Sequence, residues 1–206
     1  MYKAILWDFG GVILTSPFAD FAEFERRRGL PAGFLRAVNA ANHLDNAWAR
    51  LERNELSADD FDAAFAAETA ALGHEIRGVE FLQLFTGKIQ PAMVAALDAV
   101  KAAGYRLACV TNNTGAFPQR TDIDEVMRRF DVVVESSKVG VRKPEPRFYE
   151  IACELLAVDP PDCVFLDDLG INLKPAREMG MMTIKVGEPA EALKELGQVL
   201  GLDFGL

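Results

Sequence analysis

KAILWDFGG, residues 3–11, is a short apolar run that stops at an acid and two glycines. Its length and its ending mark a buried strand that closes in a turn, with Asp8 at the carboxyl end. Four further runs have the same form: RLACVTNN (106–113), DVVVESS (131–137), CVFLDD (163–168) and MTIKVGE (182–188). Helical patterns lie between them. AMVAALDAVKAAG (92–104) repeats its apolar residues every three or four positions and ends on Gly104, and PEPRFYEIACELLAV (144–158) and INLKPAREMG (171–180) follow the same scheme. Strands alternating with helices predict βαβ units, a parallel sheet and helices on both of its faces.

Residues 16–88 break the alternation. They carry no convincing strand but several Ala-rich amphipathic stretches, the clearest being LSADDFDAAFAAETAAL (56–72), with Ser57 as N-cap and Asp60 in the first turn. The expected organisation is an α/β core of residues 1–15 plus 89–206, with an all-helical cap of residues 16–88 inserted after the first strand. An insert at that point sits over the carboxyl edge of the sheet, where open α/β folds bind ligands.

Length and composition agree. The chain has 206 residues, half of them hydrophobic, which is enough for a sizeable core. It contains no apolar run of about 18 residues, so no membrane span is expected, and its amino end does not have the pattern of a signal peptide. Cys109, Cys153 and Cys163 each sit in apolar surroundings without a CxxC spacing, which suggests buried free thiols and a cytoplasmic location. The net charge of −9 argues against a nucleic-acid partner. The basic run Arg26–Arg27–Arg28, beside Glu23 and Glu25, reads as a solvated helix face. The expected partner is a small phosphorylated molecule, and a monomer and a homodimer are both compatible with the sequence.

Polar groups collect where the strands end: Asp8 after the first, Thr111 to Asn113 after the second, Lys143 beyond the third, and Asp167–Asp168 after the fourth. In a parallel sheet these converge on one rim. The chemistry that uses such a set is metal-assisted phosphoryl transfer. Asp8 and Asp168 offer the hard oxygens that Mg²⁺ prefers, and a free Asp8 oxygen can attack phosphorus. Lys143, Thr111 and the backbone after Gly10 can hold the phosphoryl oxygens. Carboxylates this crowded need a cation among them to stay ionised.

WDFGGVI, VTNNT, VGVRKPEPRFY and VFLDDLGINLKPAREMGM resemble the four ordered motifs of the haloacid dehalogenase superfamily. The KPEP, FLDD, NLKPAR and ALKELG strings are similar in particular to the N-terminal phosphatase domains of soluble epoxide hydrolases. The resemblance spans nearly the whole chain. It implies a Rossmann-like three-layer core under a small helical cap and Mg²⁺-dependent hydrolysis of a phosphate monoester. It places the nucleophile on Asp8, the phosphate-holding groups on Thr111, Asn112 and Lys143, and the metal on Asp8, the Gly10 carbonyl and Asp168, with Asp167 in support. It puts Asn172 at the same rim, near phosphate or metal water.

One position departs from the family pattern. Where the first motif carries a second Asp as general acid and base, this chain has Gly10. Protonation of the leaving oxygen then lacks an obvious donor, and His43, Asp45 and His74 of the cap are candidates on chemistry alone. The change also keeps two other readings open: a metal-independent haloacid dehalogenase, and a descendant that binds a phosphorylated ligand without turnover.

Overall fold

The computed structural model describes residues 1–117 and 120–205. Five parallel strands form one sheet in the order β3-β2-β1-β4-β5: β1 Ala4–Trp7, β2 Arg106–Thr111, β3 Val132–Glu135, β4 Cys163–Asp167 and β5 Met182–Lys185. Each lies inside its predicted run and stops short of that run's carboxyl end. The residues left over are the polar ones that turn out of the ladder.

Alternation along the strands makes the three layers. Ile5 and Trp7 of β1 join Leu107, Cys109, Val164, Leu166 and Ile184 on one face. There they pack against α6 (Pro91–Ala102), α7 (Thr121–Met127) and α11 (Pro189–Leu200). Ala4 and Leu6 join Ala108, Val110, Val134, Cys163 and Phe165 on the other face. That face is covered by α9 (Pro146–Leu156) and α10 (Gly170–Glu178). Both faces are apolar because both are buried, as right-handed βαβ crossovers require. A short α8 (Ser136–Val139) follows β3 directly. All three cysteines are buried and free.

Between β1 and α6 lie α1 (Phe18–Arg28), α2 (Phe34–Ala40), α3 (Ala47–Glu52), α4 (Ala58–Ala71) and α5 (Gly78–Leu82). Their apolar side chains form a third cluster, separate from the two on the sheet, around Phe21, Phe61, Phe65 and Phe81. Ser57 caps α4 as its sequence indicates, its Oγ accepting from the Asp60 N–H at 3.1 Å. Arg26, Arg27 and Arg28 at the end of α1 are exposed, as the sequence indicates. Arg26 pairs with Glu23 at the surface, but Glu25 is buried and accepts from the Gly33 and Leu35 N–H groups at 2.7 and 2.9 Å. Those donors lie at the first turn of α2, which has no side-chain N-cap of its own, so a carboxylate from the preceding helix serves instead. Among the described residues no helix is long and apolar enough to cross a membrane.

Candidate active site

The sheet order reverses between β1 and β4, and the crevice outside their carboxyl ends is where such sheets bind ligands. Trp7 pairs with Leu166, so the next residues along, Asp8 and Asp167, stand level, and the Asp8 N–H donates to the Leu166 carbonyl at 2.9 Å. Register therefore brings the first-strand and fourth-strand acids together.

Lys143 lies between them. Its Nζ is 2.7 Å from Asp8 Oδ1 and 2.7 Å from Asp167 Oδ2, with the side chain 1% exposed. Asp8 Oδ1 also accepts from the Phe9 N–H at 2.6 Å, whereas among the described residues no hydrogen bond engages Oδ2. Asp167 is fully buried and held on every side. Asn172 Nδ2 donates to its two oxygens at 3.0 and 3.1 Å, and the Leu169 N–H donates to Oδ1 at 2.8 Å. Asn172 is fixed in turn by the Tyr149 hydroxyl, which donates to its carbonyl at 2.6 Å. Asn172, expected to face phosphate or metal water, thus spends its side chain on orienting Asp167.

Thr111 closes β2 and is buried. The Asn112 side chain is engaged by its protein neighbours. It donates to the Lys143 carbonyl at 3.0 Å and accepts from the Lys143 N–H at 2.9 Å, clamping that residue's main chain. Asp45 and His74 are engaged elsewhere: Asp45 is exposed 3.8 Å from Arg53, and the His74 ring packs edge-on against Phe34 at 5.2 Å. His43 contributes its carbonyl, which accepts from Arg142 Nη1 at 2.9 Å.

One oxygen each of Asp8, Asp167 and Asp168 lies within 4.8 Å of the others. Gly11 makes that approach possible. A Cβ there would sit 2.3 Å from Asp168 Oδ2, and φ is +77°. Only glycine lets the β1 turn and the Asp168 carboxylate share this space. Three acids against one ammonium leave excess negative charge. Burial, with Asp167 and Asp168 adding to it, holds the Asp8 carboxyl well above its usual range despite Lys143. Burial and then Asp167 push Asp168 up to about 6. Burial opposes charge on Lys143 too, but Asp167 and Asp8 outweigh it and keep its ammonium more basic than usual.

The sign of the consequence is fixed by linkage. A carboxyl raised on folding stabilises the fold at acid pH, and that stability is lost as pH rises through about 6. For Asp168 alone the loss is about 2–3 kcal/mol by neutral pH. A divalent cation among the three oxygens removes it, so an all-oxygen, Mg²⁺-type donor set suits this chain.

Two residues that the sequence reading missed, Glu52 and Arg142, border the site. Glu52 of α3 is buried, and its Oε2 accepts from Arg142 Nε at 2.6 Å, one residue before Lys143. Burial pushes its carboxyl up while Arg142 pulls it down. The signal was present in the sequence: Glu52 falls four residues after Trp48, a charge on the apolar stripe of a helix.

The haloacid dehalogenase-like hydrolase family matches residues 2–180. The chain is 32% identical over 218 residues to bifunctional epoxide hydrolase 2 of Mus musculus, a match covering 98% of this chain and 39% of that enzyme. It therefore spans about two fifths of that relative's length. It is 26% identical to a sesquiterpene phosphatase of Aspergillus oryzae, over 97% of both chains. Its fold is that of a haloacid dehalogenase-family enzyme from Bacteroides thetaiotaomicron crystallised with magnesium and inorganic phosphate. The TM-score is 0.60 and the identity 21%, covering 91% of this chain and 95% of that one.

Proposed function

The chain belongs to the haloacid dehalogenase-like hydrolases, and from that premise we propose that it is a Mg²⁺-dependent phosphatase cleaving a small phosphate monoester through an aspartyl-phosphate on Asp8. The observation that carries this reading is the convergence of Asp8, Asp167 and Asp168 oxygens within 4.8 Å around Lys143 at the switch point of the sheet. Full-length similarity to a phosphatase supports it.

Asp8 and Asp168 would hold the ion, with the Gly10 carbonyl as a further oxygen and Asp167, whose oxygens are engaged by Lys143, Asn172 and the Leu169 N–H, in support. Bound Mg²⁺ supplies the positive charge that keeps these carboxylates ionised and draws electron density from a phosphoryl oxygen. The protein does the rest. Lys143 and the Phe9 N–H fix Asp8 Oδ1, which leaves Oδ2 to attack phosphorus. Lys143 Nζ, the Thr111 hydroxyl and the Asn112 main-chain N–H hold the phosphoryl oxygens as charge grows on them. The bond from phosphorus to the ester oxygen breaks, and the departing alkoxide takes a proton from water. A second water then attacks the aspartyl-phosphate, releasing inorganic phosphate and restoring Asp8.

We read residues 1–15 with 89–206 as the core and 16–88 as a cap over this site. Pinning of the two crossings supports that division. Leu14 bridges Ile89, the Thr15 N–H donates to the Lys88 carbonyl at 2.9 Å, and the Gln90 N–H donates to the Ile13 carbonyl at 2.9 Å.

The test is p-nitrophenyl phosphate with Mg²⁺ or with EDTA. Hydrolysis is expected only with the metal, together with a Mg²⁺-dependent rise in the thermal transition. Gly10 favours a second reading, a haloacid dehalogenase, because it removes the second motif acid. Metal-independent halide release from 2-haloacids would establish that reading, and silence in both assays would leave a phospho-ligand-binding role.

Gly10 also yields a quantitative expectation. Nothing lies within 4 Å of where its Cβ would stand, so the backbone at Gly10 leaves room for a side chain to start in Gly10→Asp. A general acid contributes about 10²–10⁴-fold. The variant should therefore accelerate alkyl phosphates by about tenfold or more, a part of that range, and aryl phosphates little. Rates across a series of leaving groups check this, and an unchanged dependence on leaving-group basicity would show that proton donation does not limit the reaction.

A further inference from the structure

We propose that Glu52 is a positioning residue for the phosphoryl site, acting from the cap through Arg142 and Asn112 to hold the main chain of Lys143 in place. The proposal rests on the phosphatase reading for the role of Lys143.

Its basis is a charge-matched clasp. Glu52 and Arg53, at the end of α3, present a negative and a positive group side by side. Arg142 and Glu145, on either side of Lys143–Pro144, present the opposite signs. Arg142 Nε meets Glu52 Oε2 at 2.6 Å, and Arg53 Nη1 stands 3.7 Å from Glu145 Oε1. The side chains of Glu52, Arg142 and Arg53 are only 5%, 12% and 11% exposed and that of Glu145 is 33% exposed, so the Glu52–Arg142 arm is shielded from water and the Arg53–Glu145 arm lies at its edge. Arg142 Nη1 makes a second anchor on the cap at the His43 carbonyl, and Arg53 Nη1 donates to the Leu44 carbonyl at 2.8 Å.

The clasp leads directly to the reacting lysine. Asn112, whose side-chain amide grips both the N–H and the carbonyl of Lys143, has its Nδ2 3.5 Å from Glu52 Oε2. Glu52 thus touches both neighbours that define where Lys143 leaves the backbone. Adhesion alone would not select this arrangement, because apolar contacts hold elements together without the desolvation cost of a shielded ion pair. Paired opposite charges instead specify one seating of α3 against residues 142–145. A cap shifted by one turn of helix would bring Trp48 and Ala49 to these two positions and leave Arg142 and Glu145 without their partners. Seating of the cap and placement of Lys143 are therefore one event.

The test is a double-mutant cycle with Glu52→Gln, Arg142→Gln and the pair, using exposed Arg26→Ala on α1 as the control. Steady-state hydrolysis of p-nitrophenyl phosphate is read alongside amide hydrogen exchange on the intact chain. Each single variant should lose about 10–10²-fold in kcat, the size expected of a small misplacement, with KM nearly unchanged. The pair should lose no more than either single variant, since the two residues act as a unit. Exchange should rise across residues 139–145 and stay unchanged in β4 and α4, which shows that the fold is intact. Multiplying losses, an unchanged kcat in Glu52→Gln, or unchanged exchange at 139–145 would overturn the proposal. If the wild type shows no Mg²⁺-dependent hydrolysis, the phosphatase reading fails by itself. The exchange arm then still decides whether Glu52 holds the Lys143 segment.

Discussion

Asp8→Asn should lower Mg²⁺-dependent phosphate release by at least about 10³-fold, which is about 4 kcal/mol of lost transition-state stabilisation, while the protein folds at least as well as before. Both halves follow from one carboxyl group. Asn keeps an oxygen where Oδ1 accepts from the Phe9 N–H and Lys143, so the turn after β1 keeps its hydrogen bonds. It replaces the unengaged Oδ2 by an amide nitrogen, which cannot attack phosphorus. Burial and two neighbouring acids already disfavour the Asp8 charge, so its removal relieves repulsion in metal-free protein. The thermal transition in EDTA should stay level or rise, and the shift produced by Mg²⁺ should shrink. Single turnover in ¹⁸O-labelled water gives an independent check. Wild type should place the label in the released phosphate and leave Asp8 unlabelled, because water attacks phosphorus and breaks its bond to the Asp8 oxygen, and the variant should release no labelled phosphate above background. A variant retaining more than a tenth of wild-type turnover would place the nucleophile elsewhere.

The sheet was legible in the sequence because its central strands β1, β2 and β4 are buried on both faces, and such strands read as unbroken apolar runs. Acids at the ends of two of those runs were enough to predict the rim, since parallel strands deliver their carboxyl ends to one edge. Register then does what composition cannot. Trp7 opposite Leu166 puts Asp8 level with Asp167, and no one-dimensional pattern specifies that pairing. The roles inside the site were harder to read for the same reason. Asn112 and Asn172 lie in the expected places, yet each points at a protein neighbour, the Lys143 backbone and the Asp167 carboxylate. An amide's direction is set by its partners in space. The buried role of Glu25 carries no local signal, because its partners are backbone groups eight and ten residues ahead, at a helix start that lacks a cap. Glu52 escaped notice because its partner is 90 residues away.

Lys143→Met should be costly to stability in the absence of metal, and the cost should depend on pH. The Lys143 ammonium is 2.7 Å from two buried carboxylates, and an apolar chain of similar length removes their counter-charge without opening a void. Breaking a buried pair by deleting one partner typically costs about 3–5 kcal/mol. For a chain of this size that is a fall of about 6–20 °C in the thermal transition. Protonation limits the damage. Without Lys143 the Asp8 carboxyl, already held high by burial, rises further. The folded variant then binds protons more tightly than the unfolded chain, and its stability declines as pH rises. The deficit relative to wild type should therefore be small near pH 5 and largest near pH 8, and Mg²⁺ should recover part of it by supplying the missing positive charge. Thermal scans at both pH values, with Mg²⁺ and with EDTA, test each clause. At saturating Mg²⁺, where the fold is restored, turnover should still be down about 10²–10³-fold, the usual cost of deleting one donor to a developing oxyanion. Recovery of stability without recovery of turnover would separate the two tasks of this side chain, balancing the acids at rest and holding the phosphoryl oxygens in reaction. Recovery of both would assign Lys143 to charge balance alone.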